Sequence, residues 1–151
     1  MAITIQNTVA TGYTTGFPGM LADGTTQNRV TRIVEDSAGI AFGKACFKGS
    51  GDRGITATPG TKFQGITIAN AGVVPPIGGT ADTYGQYASA SLLDMGDIWV
   101  TAGSNTTDDA AVYVTSAGVF TTTSTSNTAI PAVFMDTVSS GSPVRIRVVQ
   151  Q

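Results

Sequence analysis

The side chains able to do chemistry are few, and their spacing suits none of the common reactions. The 151-residue chain has no histidine. That removes the commonest general base, most zinc sites and the usual Ser-His or Cys-His dyads. Cys46 is the only cysteine, so neither an intrachain disulfide nor a thiolate cluster can form. It lies in the strand-like run Ala41-Phe42-Gly43-Lys44-Ala45-Cys46-Phe47, where a buried structural thiol is expected and no flanking pair predicts an activated thiolate. Residues 49–54, Gly-Ser-Gly-Asp-Arg-Gly, match G-x-G-x-x-G. A dinucleotide fingerprint needs a helix directly afterwards, so that pyrophosphate meets a helix N-terminus. Here Ile-Thr-Ala-Thr-Pro-Gly follows, which is β-branched and closed by Pro59, so the motif reads as a loop. The acidic doublet Asp108-Asp109, near Asn105, lacks the spacing of a calcium loop and reads as a solvated hairpin tip. Nothing selects a carboxylate pair for glycoside hydrolysis. Neither an enzyme nor a cofactor is expected.

Composition points to a surface made for contact. Hydrophobic residues are 41% of the chain and charged residues only 12%, about half the usual share of charge. Thr, Ser, Asn, Gln and Gly must therefore cover the exterior. The net charge of −2 argues against a nucleic-acid partner. Six of the eight bases (Arg29, Arg32, Lys44, Lys48, Arg53 and Lys62) crowd one early region, and residues 63–144 carry acids only. Either the two halves fold together and these charges meet or are solvated, or a basic and an acidic patch dock copies side by side. No apolar run approaches a membrane span. The start, MAITIQNTVATG, has no basic n-region and no long apolar h-region, so no signal peptide is expected and synthesis in a reducing cytoplasm follows.

The elements that must position these groups are strands. The organising run is hairpin-like, Asp94–Thr123, with β segments at Ile98–Thr101, Ala111–Thr115 and Val119–Thr123, and it contains the only tryptophan, Trp99. Ile98 and Val100 share one strand face and Trp99 the other. A strand is also predicted at residues 29–35, with Val30 and, after a slip, Ile33 and Val34 inward and a short helical turn as the alternative, and strands at 40–47 and 62–69, where Gly65 marks a bulge or crossing. Further strands are predicted at 130–136, beginning at a proline, and at 143–149, with Val144, Ile146 and Val148 inward and Arg145 and Arg147 outward. About eight short strands, Gly-rich turns and no amphipathic helix predict an all-β fold, a small β-barrel or β-sandwich. Residues 1–28 read as an extended N-terminal arm and residues 29–151 as a single β-domain. Glycines 12, 16, 19 and 24 break regular structure in the arm, yet Tyr13, Phe17, Met20 and Leu21 need a surface to lie on. That surface is either the arm's own domain or a neighbouring protein.

Several stretches together resemble the structural cement, or head-decoration, proteins of tailed bacteriophages. They are Gly16-Phe17-Pro18-Gly19-Met20-Leu21-Ala22-Asp23, Ile40-Ala41-Phe42-Gly43-Lys44-Ala45, Phe63-Gln64-Gly65-Ile66-Thr67 and Gly96-Asp97-Ile98-Trp99-Val100, followed by Ala111–Val114, Gly118–Thr121 and Ile130–Phe134. Their order and spacing carry the resemblance from about residue 12 to the C-terminus. The inserts around 49–60 and 121–129 depart from the family pattern. The resemblance implies an outer-capsid protein that binds the major capsid protein lattice after expansion and resists internal DNA pressure. The residues expected to make capsid or subunit contacts are Tyr13, Phe17, Pro18, Met20, Leu21, Asp23 and Trp99. Self-association as a trimer is preferred, with a twofold-bridging dimer second, and neither nucleic acid nor membrane is a partner. The residues also admit a tail- or fibre-associated carbohydrate-binding module built on Trp99, Tyr84 and Tyr87. Trp99 itself reads as either a second-layer core residue or an interface anchor.

Overall fold

The computed structural model describes residues 15–75 and 79–149. Among them are eleven strands and no helix. The strands are β1 (Asn28–Val34), β2 (Ile40–Ala41), β3 (Ala45–Lys48), β4 (Gly54–Thr56), β5 (Phe63–Thr67), β6 (Thr83–Tyr84), β7 (Ser89–Thr101), β8 (Ala111–Val114), β9 (Phe120–Thr121), β10 (Thr128–Phe134) and β11 (Pro143–Val148).

Strand β7, thirteen residues long, belongs to two rings at once. Its first half pairs antiparallel with β1 and, through Leu92 and Leu93, with β5. Because β1 also pairs with β4, and β4 with β3, the order β7-β1-β4-β3-β5 returns to β7 and closes a small barrel. The second half of β7 pairs with β11 over Gly96–Thr101, and the sheet continues through β10 and β8 to β9. Strand β9 comes back beside the end of β7 through a parallel bridge between Ala102 and Phe120. Closure on both sides leaves few open strand edges for unwanted pairing.

Two apolar cores follow. Val34, Ile40, Cys46, Ile55, Tyr84 and Leu92 pack in one. Phe47, Ile66, Leu93, Ile98, Val114, Phe120, Phe134 and Ile146 belong to the other, larger one. Successive strand residues face opposite ways, so β3 sends Cys46 into the first core and Ala45 and Phe47 into the second. The same division separates Leu92 from Leu93 on β7. Cys46 is fully buried, and burial pushes its thiol well above the usual range, consistent with a structural role.

Several expectations need correction. The run Asp94–Thr123 is not one hairpin: β7 pairs with β11, while β8 pairs with β9 and β10. The expected strand over 40–47 is two strands, broken at Gly43, whose φ of 68° lies in the left-handed region. Ile33 is 41% exposed and only Val34 of that pair points inward, because strict alternation from Val30 sends residue 33 outward. Pro131 lies inside β10 and not at its start; it sits where the register with β8 shifts, between Ala129 and Val133, so the missing N–H disrupts no regular ladder. Gly65 is, as expected, both a bulge and a crossing: the β3–β5 register shifts between Cys46, opposite Gly65, and Phe47, opposite Phe63, and a Cβ at Gly65 would stand 2.7 Å from the Leu93 carbonyl oxygen.

Candidate interaction surface

The arm residues from 16 to 23 are built onto the barrel's own β7. Phe17-Pro18-Gly19-Met20 is a type II turn. Proline occupies its second position, Gly19 at φ 86° its third, and the Met20 N–H donates to the Phe17 carbonyl at 3.0 Å. From there the chain runs antiparallel to β7. The Gly19 N–H donates to the Trp99 carbonyl at 2.8 Å, the Trp99 N–H to the Met20 carbonyl at 2.8 Å, and the Ala22 N–H to the Asp97 carbonyl at 2.9 Å. Leu21 lies opposite Ile98 and packs against the larger core. Gly19 and Gly43 meet backbone to backbone. A Cβ on Gly43 would stand 2.7 Å from the Gly19 nitrogen, and one on Gly19 would stand 2.8 Å from the Ala69 nitrogen. Two glycines far apart in sequence are thus one contact, which gives a physical reason for Phe17-Pro18-Gly19 and Phe42-Gly43 together.

Trp99 is 9% exposed and covered from outside. Gly16 lies directly on it, since a Cβ there would come within 2.4 Å of the indole, and the Arg145 guanidinium carbon is 5.9 Å from the ring centroid. Trp99 is therefore the surface on which the arm rests, a covered second layer of the core. Arg145 joins the arm to the barrel a second way. It grips Asp136 through Nε at 3.0 Å and Nη2 at 2.6 Å, and its Nη1 stands 3.8 Å from Asp23. Beside it Arg147 forms a two-pronged pair with the fully buried Asp97 carboxylate at 2.8 Å and 2.8 Å. Among the described residues the ion pairs belong to Arg145 and Arg147, not to the early basic cluster. Both arginines lie on the outward face, as the alternation of the last strand predicts. Alternation shows the face but not that acids from β7, the β10–β11 turn and the arm converge on it.

The other sequence candidates disperse. Tyr13 lies outside the described residues. Phe17 is 57% exposed and Met20 41%, while Pro18 is half-buried. Tyr84 is buried in a core and donates its hydroxyl to the Ile68 carbonyl at 2.7 Å, whereas Tyr87 is 75% exposed, so Trp99, Tyr84 and Tyr87 form no common aromatic platform. The Gly49–Gly54 loop wraps a carboxylate of its own chain: the Ser50 and Gly51 N–H groups each donate to Glu35 at 2.7 Å. Beside the type II turn opens an apolar groove of about 590 Å³. Phe17, Phe42, Val119 and Phe120 line it together with the polar Lys44 and Asp82.

Two carboxylates carry an acid sensitivity. Backbone hydrogen bonds from Gly51 and then Ser50 hold Glu35 below its ordinary value of 4.5. The hydrogen bond from Arg145 holds Asp136 below its ordinary 3.8. Since the folded values are the lower ones, the unfolded chain takes up protons first as pH falls. Their stabilisation is complete above the unfolded values and is lost as pH drops through the folded ones. The melting temperature is expected to be level from pH 7 to 5 with respect to these groups and to fall below about pH 4. In Asp136→Asn the acid fall should be shallower; thermal melts across that range check it.

Comparison with known proteins agrees with this geometry. The model of the family described as "Structural cement protein (E217 gp24/Pam3 gp6)" matches residues 5–149. A chain of the solved structure titled "The capsid of Myoviridae Phage XM1" is similar in fold, with a TM-score of 0.67 at 18% identity, covering 96% of this chain and 97% of that one. No curated protein matches. With the family model spanning nearly its whole length, this chain belongs to the phage structural cement protein family and has a capsid-stabilising decoration role.

Proposed function

We propose that this protein sits on the outer surface of the capsid, binds the major capsid protein lattice after expansion, and secures it against the pressure of packaged DNA. The observation that carries the reading is the anchored arm, which holds Phe17 and Met20 exposed on a backbone that is otherwise tied down. Apolar side chains on an ordered support bind with little ordering cost. A ligand that recognises only the expanded lattice stabilises it by mass action, about 2.7 kcal/mol per site at a hundredfold excess over Kd. Copies arrayed around symmetry axes add avidity without any single large interface. The role is structural and involves no catalysis. The copies act as a trimer by preference, or as a twofold-bridging dimer.

Phe17, Pro18, Met20, Leu21, Asp23 and Trp99 divide within this reading. Phe17 and Met20 touch the partner, while Leu21, Asp23 and Trp99 hold the arm and Pro18 shapes the turn. A Phe17→Asp, Met20→Asp double variant should melt like the parent and bind expanded capsids at least tenfold more weakly, measured by co-sedimentation. Binding undiminished in that variant would place the contact elsewhere.

A further inference from the structure

The bases that take no part in ion pairing gather at one end of the smaller barrel. Strand β3 ends at Lys48, Arg53 directly precedes β4, and Lys62 directly precedes β5. Backbone hydrogen bonds join these positions: the Lys48 N–H donates to the Lys62 carbonyl at 2.9 Å, and the Gly49 N–H to the Gly54 carbonyl at 2.9 Å. Arg32 of β1 stands next in order, since the Ile33 N–H donates to the Arg53 carbonyl at 2.9 Å. Four neighbouring strands, β5, β3, β4 and β1, thus each bring a base to this rim. The hydrogen-bond partners of these side chains are neutral: Arg32 Nε donates to Gln64 Oε1 at 3.2 Å, and Lys48 Nζ to the Gly51 carbonyl. Among the described residues, which contain every charged side chain of the chain, none of the four forms an ion pair. Two acids lie close by. Asp52 is exposed in the Gly49–Gly54 loop, and Glu35 is held by that loop, with the Lys48 charge favouring its ionised form. Four bases against two acids leave the rim a net charge of +2.

The acids that remain face out from the other ring. Asp108 and Asp109 are exposed in the loop between β7 and β8. That loop is fastened to the segment between β10 and β11: the Asp109 N–H donates to the Phe134 carbonyl at 2.9 Å, and Thr106 Oγ1 to the Asp136 carbonyl at 2.8 Å. Neither carboxylate forms an ion pair among the described residues, and residues 63–144 contain no base. The tip therefore carries −2, equal and opposite to the rim, and its backbone is tied in place.

We propose that the cationic rim of each copy receives the Asp108-Asp109 tip of a neighbouring copy. Complementary charge decides which surfaces meet and in what register. Rim and tip lie on different rings of the fold, so the contact is head to tail and closes as a ring of copies. It uses neither Phe17 nor Met20 and does not rest on their contact with the capsid.

The test is sedimentation velocity of the free, full-length chain. At low ionic strength the mass should rise above that of one chain with concentration. It should fall back as added salt shortens the screening length to about 8 Å and below. Asp108→Lys with Asp109→Lys should weaken association about tenfold or more, and so should Arg53→Glu with Lys62→Glu. The chain carrying all four substitutions again has opposite charges on the two surfaces and should recover association, which a merely structural effect of either pair would not allow. Melting temperatures show whether each variant is folded, and Asp108→Asn with Asp109→Asn, or Arg53→Gln with Lys62→Gln, give milder versions. A parent chain that stays monomeric at low ionic strength, association indifferent to salt, association unchanged in either reversed pair, or no recovery in the fourfold variant would each overturn the proposal. Rim substitutions that spare self-association but weaken binding to expanded capsids would overturn it too, by assigning the rim to an acidic surface of the capsid.

Discussion

Trp99→Ala should lower the melting temperature by roughly 6–12 °C and loosen the arm in the same step. Removing a buried tryptophan side chain costs about 3–5 kcal/mol. The lower end applies because Gly16 and the Arg145 guanidinium, not packed apolar side chains, lie over one face of the ring. At about 2–4 °C per kcal/mol for a chain of this size, about 3 kcal/mol gives the range stated. The arm loses its platform, so limited proteolysis should cut between residues 15 and 24 faster in the variant than in the parent. Differential scanning calorimetry and a protease time course are the two measurements. A variant with unchanged melting and unchanged cleavage would mean that Trp99 is not the arm's support.

Gly43→Ala should separate the arm from the barrel more cleanly. An L-residue in the left-handed conformation costs roughly 1–2 kcal/mol. The added methyl would also stand 2.7 Å from the Gly19 nitrogen and 2.8 Å from the Pro18 Cβ. Neither neighbour is the end of a flexible side chain, so the cheapest relief is to lift the Pro18-Gly19 turn. The expected total is about 2–4 kcal/mol, limited by the free energy with which the arm docks. Hydrogen exchange should show the Gly19, Ala22 and Trp99 amides losing protection while the β10–β11 ladder keeps its own. Protection retained at all three would sink the claim that this glycine pair seats the arm.

How much of this was legible beforehand depends on the length scale of each interaction. The alternation of Val144, Ile146 and Val148 was readable because strand periodicity is local, and so was the buried thiol of Cys46 in an apolar run. The long β7 was not recovered whole. Its first half mixes Ser, Ala, Leu and Asp without clean alternation, since both faces near Leu92 and Leu93 are buried. The pairing of β7 with β11, some fifty residues apart in sequence, leaves no mark on either strand alone. The arm was seen as needing a surface, but the surface lies on the far side of a turn whose meaning depends on Gly43. The partners of the two outward arginines were not readable because the acids that meet them come from three separate segments. Glu35 and the loop at 49–54 tell the same story: a glycine pattern that resembles a phosphate cradle is instead folded around the chain's own carboxylate.

The sharing of β7 between two rings has a mechanical consequence. The arm lies antiparallel along β7, so a pull on Met20 directed along that strand loads the bonds of Gly19, Trp99 and Ala22 in shear, all together, and does not peel them one after another. The strand that takes the load is bonded to β1 and β5 in one half and to β11 in the other. Tension entering at the arm is therefore divided between two closed rings before any single ladder must carry it, as a fastening should do on a shell that pushes outward.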